Sequence, residues 1–232
     1  MRRMIGALIV GLAATAVVQA HALYIVGNLG NATTKIDVVF SDDLNPDERV
    51  KEATWKKIDG IKLSAKLASG KVIELSPKMD KAKLVAEIAA TSPPDDARVL
   101  FAAVDFGVST KGEKASRVHF FPKQILGAVP ADGGKVGEPL ALEIVPKVEA
   151  GKVRFQVLQA GKPVKDATVS VMMPKDDKKE KGTTDENGWT QAFEEKGRYA
   201  ATVRVVEATA GEVKGEKYEQ TSRVATLVVD VN

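Results

Sequence analysis

Cysteine is absent from all 232 residues. A chain without thiols makes no disulfides, so in an oxidising compartment its stability must come from core burial alone. Cysteine nucleophiles and thiolate metal sites are excluded with it. Histidine is nearly absent: His21 and His119 are the only two. That excludes a His-Glu-x-x-His zinc helix, and a Ser-His-Asp arrangement would have to use His119, beside which no serine motif stands. Gly-x-Ser-x-Gly elbows and phosphate-cradling glycine loops are missing as well. The reading is therefore non-catalytic, with a glycosidase-type carboxylate pair, which meets only in the fold, left open. Charge of one sign is also lacking. Lys and Arg number 34 against 31 Asp and Glu, and without Arg2 and Arg3 they number 32. Basic and acidic residues are interleaved, so the pI near 8.9 is no nucleic-acid footprint. The stretch 174–181, rich in Lys and Asp, reads as a solvated loop.

Long apolar runs are confined to the start of the chain. Arg2 and Arg3 precede an apolar stretch from Ile5 to Val18, and small residues follow at Ala20 and Ala22. This is the order of a secretory signal peptide, too short in its apolar part for a comfortable membrane span. The expectation is residues 1–20 as signal peptide, with 22 as an alternative end, and a periplasmic or secreted mature protein without stable membrane insertion. A cut after Ala20 places Val18 and Ala20 at the two small-residue positions, and a cut after Ala22 places the marginally better pair Ala20 and Ala22 there. A cut after Ala20 would leave His21 as the first residue, joining a free amine to an imidazole. A cut after Ala22 would discard it.

What the chain does have is short alternating apolar segments between turn residues. Ile36–Phe40, Ile61–Leu67, Lys71–Leu75, Leu84–Ile88, Arg98–Val104 and Arg117–Phe121 read as strands. Asn45-Pro46-Asp47-Glu48 reads as a helix start, with a capping residue before proline and acids in the first turn, giving a helix over about Pro46–Ala53. The segment 127–137, with four glycines and a proline, reads as a linker. Strand patterns resume at Leu140–Val145, Lys152–Leu158, Ala167–Met173, Trp189–Phe193, Arg198–Val206 and Arg223–Val231. The expected fold is all-β: two immunoglobulin-like β-sandwich domains in series, 21–126 and 138–232.

In the second half, Gly161–Val171, then Thr183–Gly188, then Gly197–Val203 resemble the carboxypeptidase-regulatory-like or prealbumin-like β-sandwich. Asn187-Gly188 is expected to supply the positive φ angles of a tight turn and Asp185 to cap it. Over the whole mature chain, His21-Ala-Leu-Tyr24, Phe40-Ser-Asp-Asp-Leu-Asn-Pro-Asp47, Val206–Tyr218 and Ala225–Val229 resemble a bacterial exported family of unknown function. That family is related to the periplasmic M component of nickel uptake transporters. The resemblance implies a metal-binding or metal-uptake accessory protein, a membrane transporter component as partner, and a histidine kept at the mature N-terminus, which favours the cut after Ala20. This chain departs from the family in having Arg223 where relatives carry a histidine before the last Ala-Thr-Leu strand, and in its poverty of histidine.

The candidate metal residues are His21 and His119. A terminal amine and two imidazoles form a nitrogen donor set suited to Ni or Cu. Because His119 alternates with Phe120, it faces away from the core if Phe120 faces in. Met172 and Met173 read as core filler rather than copper ligands. Asp42, Asp43, Asp47 and Glu48 read as a turn before a helix, without the spacing of a calcium loop. Trp55 and Trp189 read as core anchors. The alternative function is a structural, adhesive or carbohydrate-binding β-sandwich without a metal site.

Overall fold

The computed structural model describes residues 21–30, 33–58, 60–89, 98–110, 113–176 and 178–232. The expected signal peptide, residues 1–20, lies outside them. Among the described residues the chain is all-β apart from one short helix. Its first part runs β1 (Ala22–Gly27), β2 (Thr33–Ser41), α1 (Glu52–Lys56), β3 (Leu63–Lys66), β4 (Val72–Leu75), β5 (Lys78–Asp80) and β6 (Lys83–Ala89). The middle comprises β7 (Arg98–Phe101), β8 (Val104–Ser109), β9 (Ser116–Leu126), β10 (Leu142–Glu149), β11 (Lys152–Gln159) and β12 (Lys162–Pro163). The last part is β13 (Thr168–Met172), β14 (Lys179–Thr183), β15 (Gly197–Glu207), β16 (Gly211–Val213), β17 (Glu216–Tyr218) and β18 (Gln220–Val231).

Apart from β16 and β17, which pair only with each other, these strands make three layers. A central sheet runs β14-β13-β15-β18-β9-β7-β3-β4, with β8 pairing β9. One outer sheet is β1-β2-β6-β5 and the other is β10-β11-β12. The joint is β18, which pairs in parallel with β9 from Gln220↔Ser116 to Val229↔Ile125. The two halves are therefore not sandwiches closed separately in series; the last strand of the second half continues the sheet of the first.

Alternation explains the layering, because successive side chains of a strand point to opposite faces. On β9, Phe120 and Leu126 enter the core beneath the β1-β2-β6-β5 sheet. Phe121 and Ile125 enter the second core, beneath β10-β11. On β18, Val224 and Val228 serve the first core while Ala225, Leu227, Val229 and Val231 serve the second. Strands covered on both faces read as nearly continuous burial, and β9 and β18 do so.

The expected linker, 127–137, is packed structure rather than a tether. Val129 and Val136 lie against the second core. Gly134, at φ +61, passes so close to β7 and β9 that a Cβ there would meet Val99 Cγ2 at 2.9 Å. Beneath this segment lies a buried ion pair. Lys123 Nζ donates to Glu143 Oε1 at 2.7 Å, with side chains 1% and 2% exposed. Glu143 Oε1 also accepts the Val136 N–H and Oε2 the Gly137 N–H. Burial pushes the Lys123 ammonium below its usual pKa, against the pull of Glu143. Such a pair is held by mutual neutralisation and full hydrogen bonding, not by net gain over apolar packing.

Two local expectations are corrected. The helix is Glu52–Lys56, with Lys51 at its N-cap and no side-chain cap, rather than Pro46–Ala53. Asp47 turns the chain instead: its Oδ1 accepts the Arg49 N–H and its carbonyl accepts the Val50 N–H, so helical φ/ψ begins only after the turn. Trp55 then buries the helix against the first core. Trp189–Phe193 is not a full strand but touches β11 at two isolated bridges, Gln156↔Trp189 and Val153↔Phe193. In the turn before it, Gly188 alone of Asn187-Gly188 has positive φ, and Asp185 Oδ1 caps the turn by accepting the Asn187 and Trp189 N–H groups.

Replacing one partner of the buried pair, as in Glu143→Gln or Lys123→Met, should cost about 3–5 kcal/mol in denaturant unfolding, and the apolar double replacement Lys123→Met/Glu143→Leu much less. Equal losses in the single and double variants would show that the pair is not the source.

Candidate functional site

His21 is the residue immediately before β1, so its position depends on how that strand is held. β1 pairs with β2 in the register Ala22↔Ser41 through Gly27↔Ile36. The central sheet grips the same strand from below. Gln124 closes a double hydrogen bond on Gly27, its Oε1 accepting the N–H at 2.7 Å and its Nε2 donating to the carbonyl at 2.9 Å. Thr226 Oγ1 donates to the Leu23 carbonyl at 2.7 Å, and the Tyr24 hydroxyl bonds Thr202 Oγ1 at 2.9 Å. Three strands of the central sheet thus fix β1.

The antiparallel register carries His21 to the end of β2, beside Asp42. Its ring leans on Phe40, with centroids 5.7 Å apart and planes at 33°. Phe40 in turn stacks on Phe106 and meets Phe120 edge-on. Both ring nitrogens face carboxylates. Nε2 lies 2.7 Å from Asp47 Oδ2. Nδ1 lies 3.3 Å from Asp42 Oδ1, without the alignment of a hydrogen bond, and Asp42 Oδ1 is shut off from solvent with no hydrogen-bond partner.

Asp47 is itself clamped. Arg49 donates Nε to Oδ1 and Nη2 to Oδ2, each at 2.8 Å, and its backbone N–H also reaches Oδ1. The Arg49 guanidinium, then its N–H, then His21 hold the Asp47 carboxyl well below the usual carboxylate range. Asp43 is spent locally, its Oδ1 accepting from Ser41 Oγ and the Asn45 N–H. From the second half of the chain, Lys179 Nζ on β14 donates to the Asp42 carbonyl at 2.6 Å.

The structure does not bring His119 to His21. Phe120 is 3% exposed and lies on the face that meets Phe40, so its neighbour His119 points through the other side of β9, parallel to Phe121 at 6.4 Å. There it pairs with Asp105 on β8 and with Arg223 on β18. Its Nδ1 lies 3.9 Å from Asp105 Oδ1, and Arg117 takes the other oxygen of that carboxylate at 2.7 Å. Arg223 is bound to Glu207. Two arginines flanking the ring are poor company for a cation, so the two-histidine site expected from sequence is not formed. Burial pushes the His119 imidazole below its usual pKa; Asp105 opposes this, and Arg117 and Arg223 add to it.

Other residues singled out in the sequence have structural places. Met172 and Met173 are buried in different cores. Trp55 is 5% exposed, and Arg154 lies over the Trp189 ring at 5.7 Å. Among the described residues no group of three His, Asp or Glu side chains is arranged to hold a metal ion, and no helix is long and apolar enough to cross a membrane. Sequence reasoning missed Phe40 and Arg49 as parts of the site, and read Asp42 and Asp47 as turn residues only. The one signal linking them to His21 was the spacing of a β1–β2 hairpin, which needed β1 to be recognised.

Fold and site together define a layered all-β protein with a carboxylate-flanked histidine at the head of its first strand. No protein-family model matches the chain, and no curated protein matches it. Among solved structures, a pullulanase from Anoxybacillus sp. LM18-11 in complex with maltotriose is 14% identical over 80% of this chain, at a TM-score of 0.21. A second structure of pullulanase from Anoxybacillus sp. LM18-11 is 13% identical over 86% of this chain, also at 0.21. This chain spans 24% and 27% of those chains.

His119 should titrate below the ordinary histidine value when followed by imidazole NMR. Its folded pKa is depressed, so the unfolded chain binds the extra proton first and stability rises with pH across that window. Unfolding free energy should fall as pH drops from 7 through the ordinary histidine range, and His119→Gln should remove that share of the fall. A midpoint at or above the ordinary value would contradict the burial argument.

Proposed function

We propose that this is an exported, non-catalytic metal-binding or metal-uptake accessory protein of the nickel or copper class, acting in the periplasm or outside the cell. It uses His21 as the first residue of the mature chain. Signal cleavage after Ala20 frees an amine on the residue that carries the imidazole, and amine and Nδ1 of one histidine close a six-membered chelate ring on a metal. Nitrogen donors of this kind suit Cu(II) and Ni(II).

The observation that carries this reading is the fixed ring of His21. Asp47 takes Nε2 at 2.7 Å, which directs Nδ1, the chelating nitrogen, away from that carboxylate. With β1 held by Gln124, Thr226 and Tyr24, a terminus cut at this point is anchored at the sheet rather than frayed, so the chelate is ordered before metal arrives. His119 has no part in it. The likeness to the nickel-transporter-related family supports a membrane transporter component as the partner that delivers or receives the metal.

Native intact-mass measurement of the exported protein should give a chain beginning at His21 with one Cu(II) or Ni(II) retained. Titration calorimetry should show that adding one residue before His21 abolishes stoichiometric binding, while His119→Gln leaves it unchanged. A mature chain beginning at Leu23, or unchanged affinity after the extension, would overturn the reading in favour of a structural β-sandwich protein.

A further inference from the structure

The metal reading leaves the chelate with two donors from one residue. We infer that Asp42 supplies the third, through Oδ1, and that Asp47 is a positioning residue which, held by Arg49, aims the His21 ring at it. This inference rests on the proposed function and adds two residues to its site.

Asp42 is selected by its surroundings. Its Oδ1 is excluded from solvent, accepts no hydrogen bond, and lies 3.3 Å from the nitrogen that would bind metal. A buried carboxylate oxygen with no donor is an unusual expense in a folded protein, since such atoms are nearly always satisfied. A cation between that oxygen and Nδ1 would satisfy both. The backbone of Asp42 is fixed from outside the loop, because Lys179 on β14 donates to its carbonyl at 2.6 Å.

The neighbouring acids are unavailable. Asp43 Oδ1 is used by Ser41 and Asn45. Both oxygens of Asp47 are engaged by Arg49, and Oδ2 also by His21 Nε2. The two nitrogens of an imidazole diverge, so a carboxylate on Nε2 cannot share a metal with Nδ1 of the same ring. What Asp47 does there is the work of an outer carboxylate on a ligating histidine: it sets the tautomer and fixes the ring plane. The donor set is then amine, imidazole and carboxylate. Its one negative charge offsets part of the charge of a divalent ion, which the second imidazole expected at His119 would not have done.

The test uses the mature protein with Cu(II) and Ni(II) salts, read by titration calorimetry and by the visible d–d absorption of the copper form. Asp42→Asn should weaken copper binding tenfold or more and shift the d–d band, because a first donor changes. Asp47→Asn should weaken it about 10–100-fold, the usual effect of losing an outer partner, with the band position kept. Wild-type affinity and spectrum in Asp42→Asn would remove Asp42 from the site while leaving the His21 terminus as the chelate. A shifted band in Asp47→Asn would make Asp47 a ligand and overturn its assignment as a positioning residue. Failure of the unmutated protein to bind either metal would instead overturn the function itself, so the two failures are distinct. Thermal unfolding of each variant beside the parent separates loss of a donor from loss of fold.

Discussion

The parallel pairing of β9 with β18 is the constraint on which the other features rest. It joins residues 116–125 to residues 220–229, across almost the whole second half of the chain. A strand in the middle of a sheet covered on both sides is buried on both faces, and these two strands are buried along most of their length. Once they are paired, each alternate residue is committed to one of two cores, and each core needs its own cover. The β1-β2-β6-β5 sheet covers one and β10-β11 the other. The polar residues caught in this middle layer are spent on holding the covers down. Gln124 and Thr226 bind β1, and Lys123 binds Glu143 of β10. The central sheet therefore fixes β1, and with it the site.

Much of the secondary structure was legible because its signal is local. A period of two is visible within five residues, so segments such as Ile36–Phe40, Lys152–Leu158 and Arg198–Val206 fall inside β2, β11 and β15. What failed were signals with a competing local or distant partner. Asn45-Pro46-Asp47 has the composition of a helix cap, but the Asp47 side chain closes a turn on Arg49 first, the usual competition between a short polar side chain and the helix. β1 was hidden because Ala22–Gly27 continues the apolar character of the segment before it. The β9–β18 pairing left no trace in sequence. Parallel register is fixed by two strands a hundred residues apart, and a Gly-rich stretch between them looks the same whether it tethers two units or lies pinned over a buried Lys–Glu pair.

The site shows the same division. Scarcity alone drew attention to His21 and His119, and alternation turned His119 to the face of β9 opposite Phe120, the face from which Phe121 enters the second core. Which side of the protein that was, and what stood there, depended on topology. Its register partners are Asp105 and Arg223, and a histidine between two arginine-bound carboxylates is part of a charge network rather than a chelate. For His21 the missing fact was the hairpin register. With Ala22 opposite Ser41, residue 21 must fall beside residue 42, and two of the acids that looked like the approach to a helix, Asp42 and Asp47, come to flank an imidazole.

The two histidines thus illustrate how one residue type acquires different chemistry from its neighbours. Around His119 every carboxylate is already neutralised by a guanidinium, so the ring is left half-buried and hard to charge. Around His21 only Asp47 is neutralised in that way. Asp42 keeps an oxygen buried and unspent at 3.3 Å from the other nitrogen, an arrangement that an added positive charge would complete. A cut at the Ala20–His21 bond would place one more nitrogen on the same residue without moving anything in the fold. On the proposed reading, the capacity to hold a metal would reside in the order of events: the carboxylates set by folding, the amine by proteolysis, and neither sufficient alone.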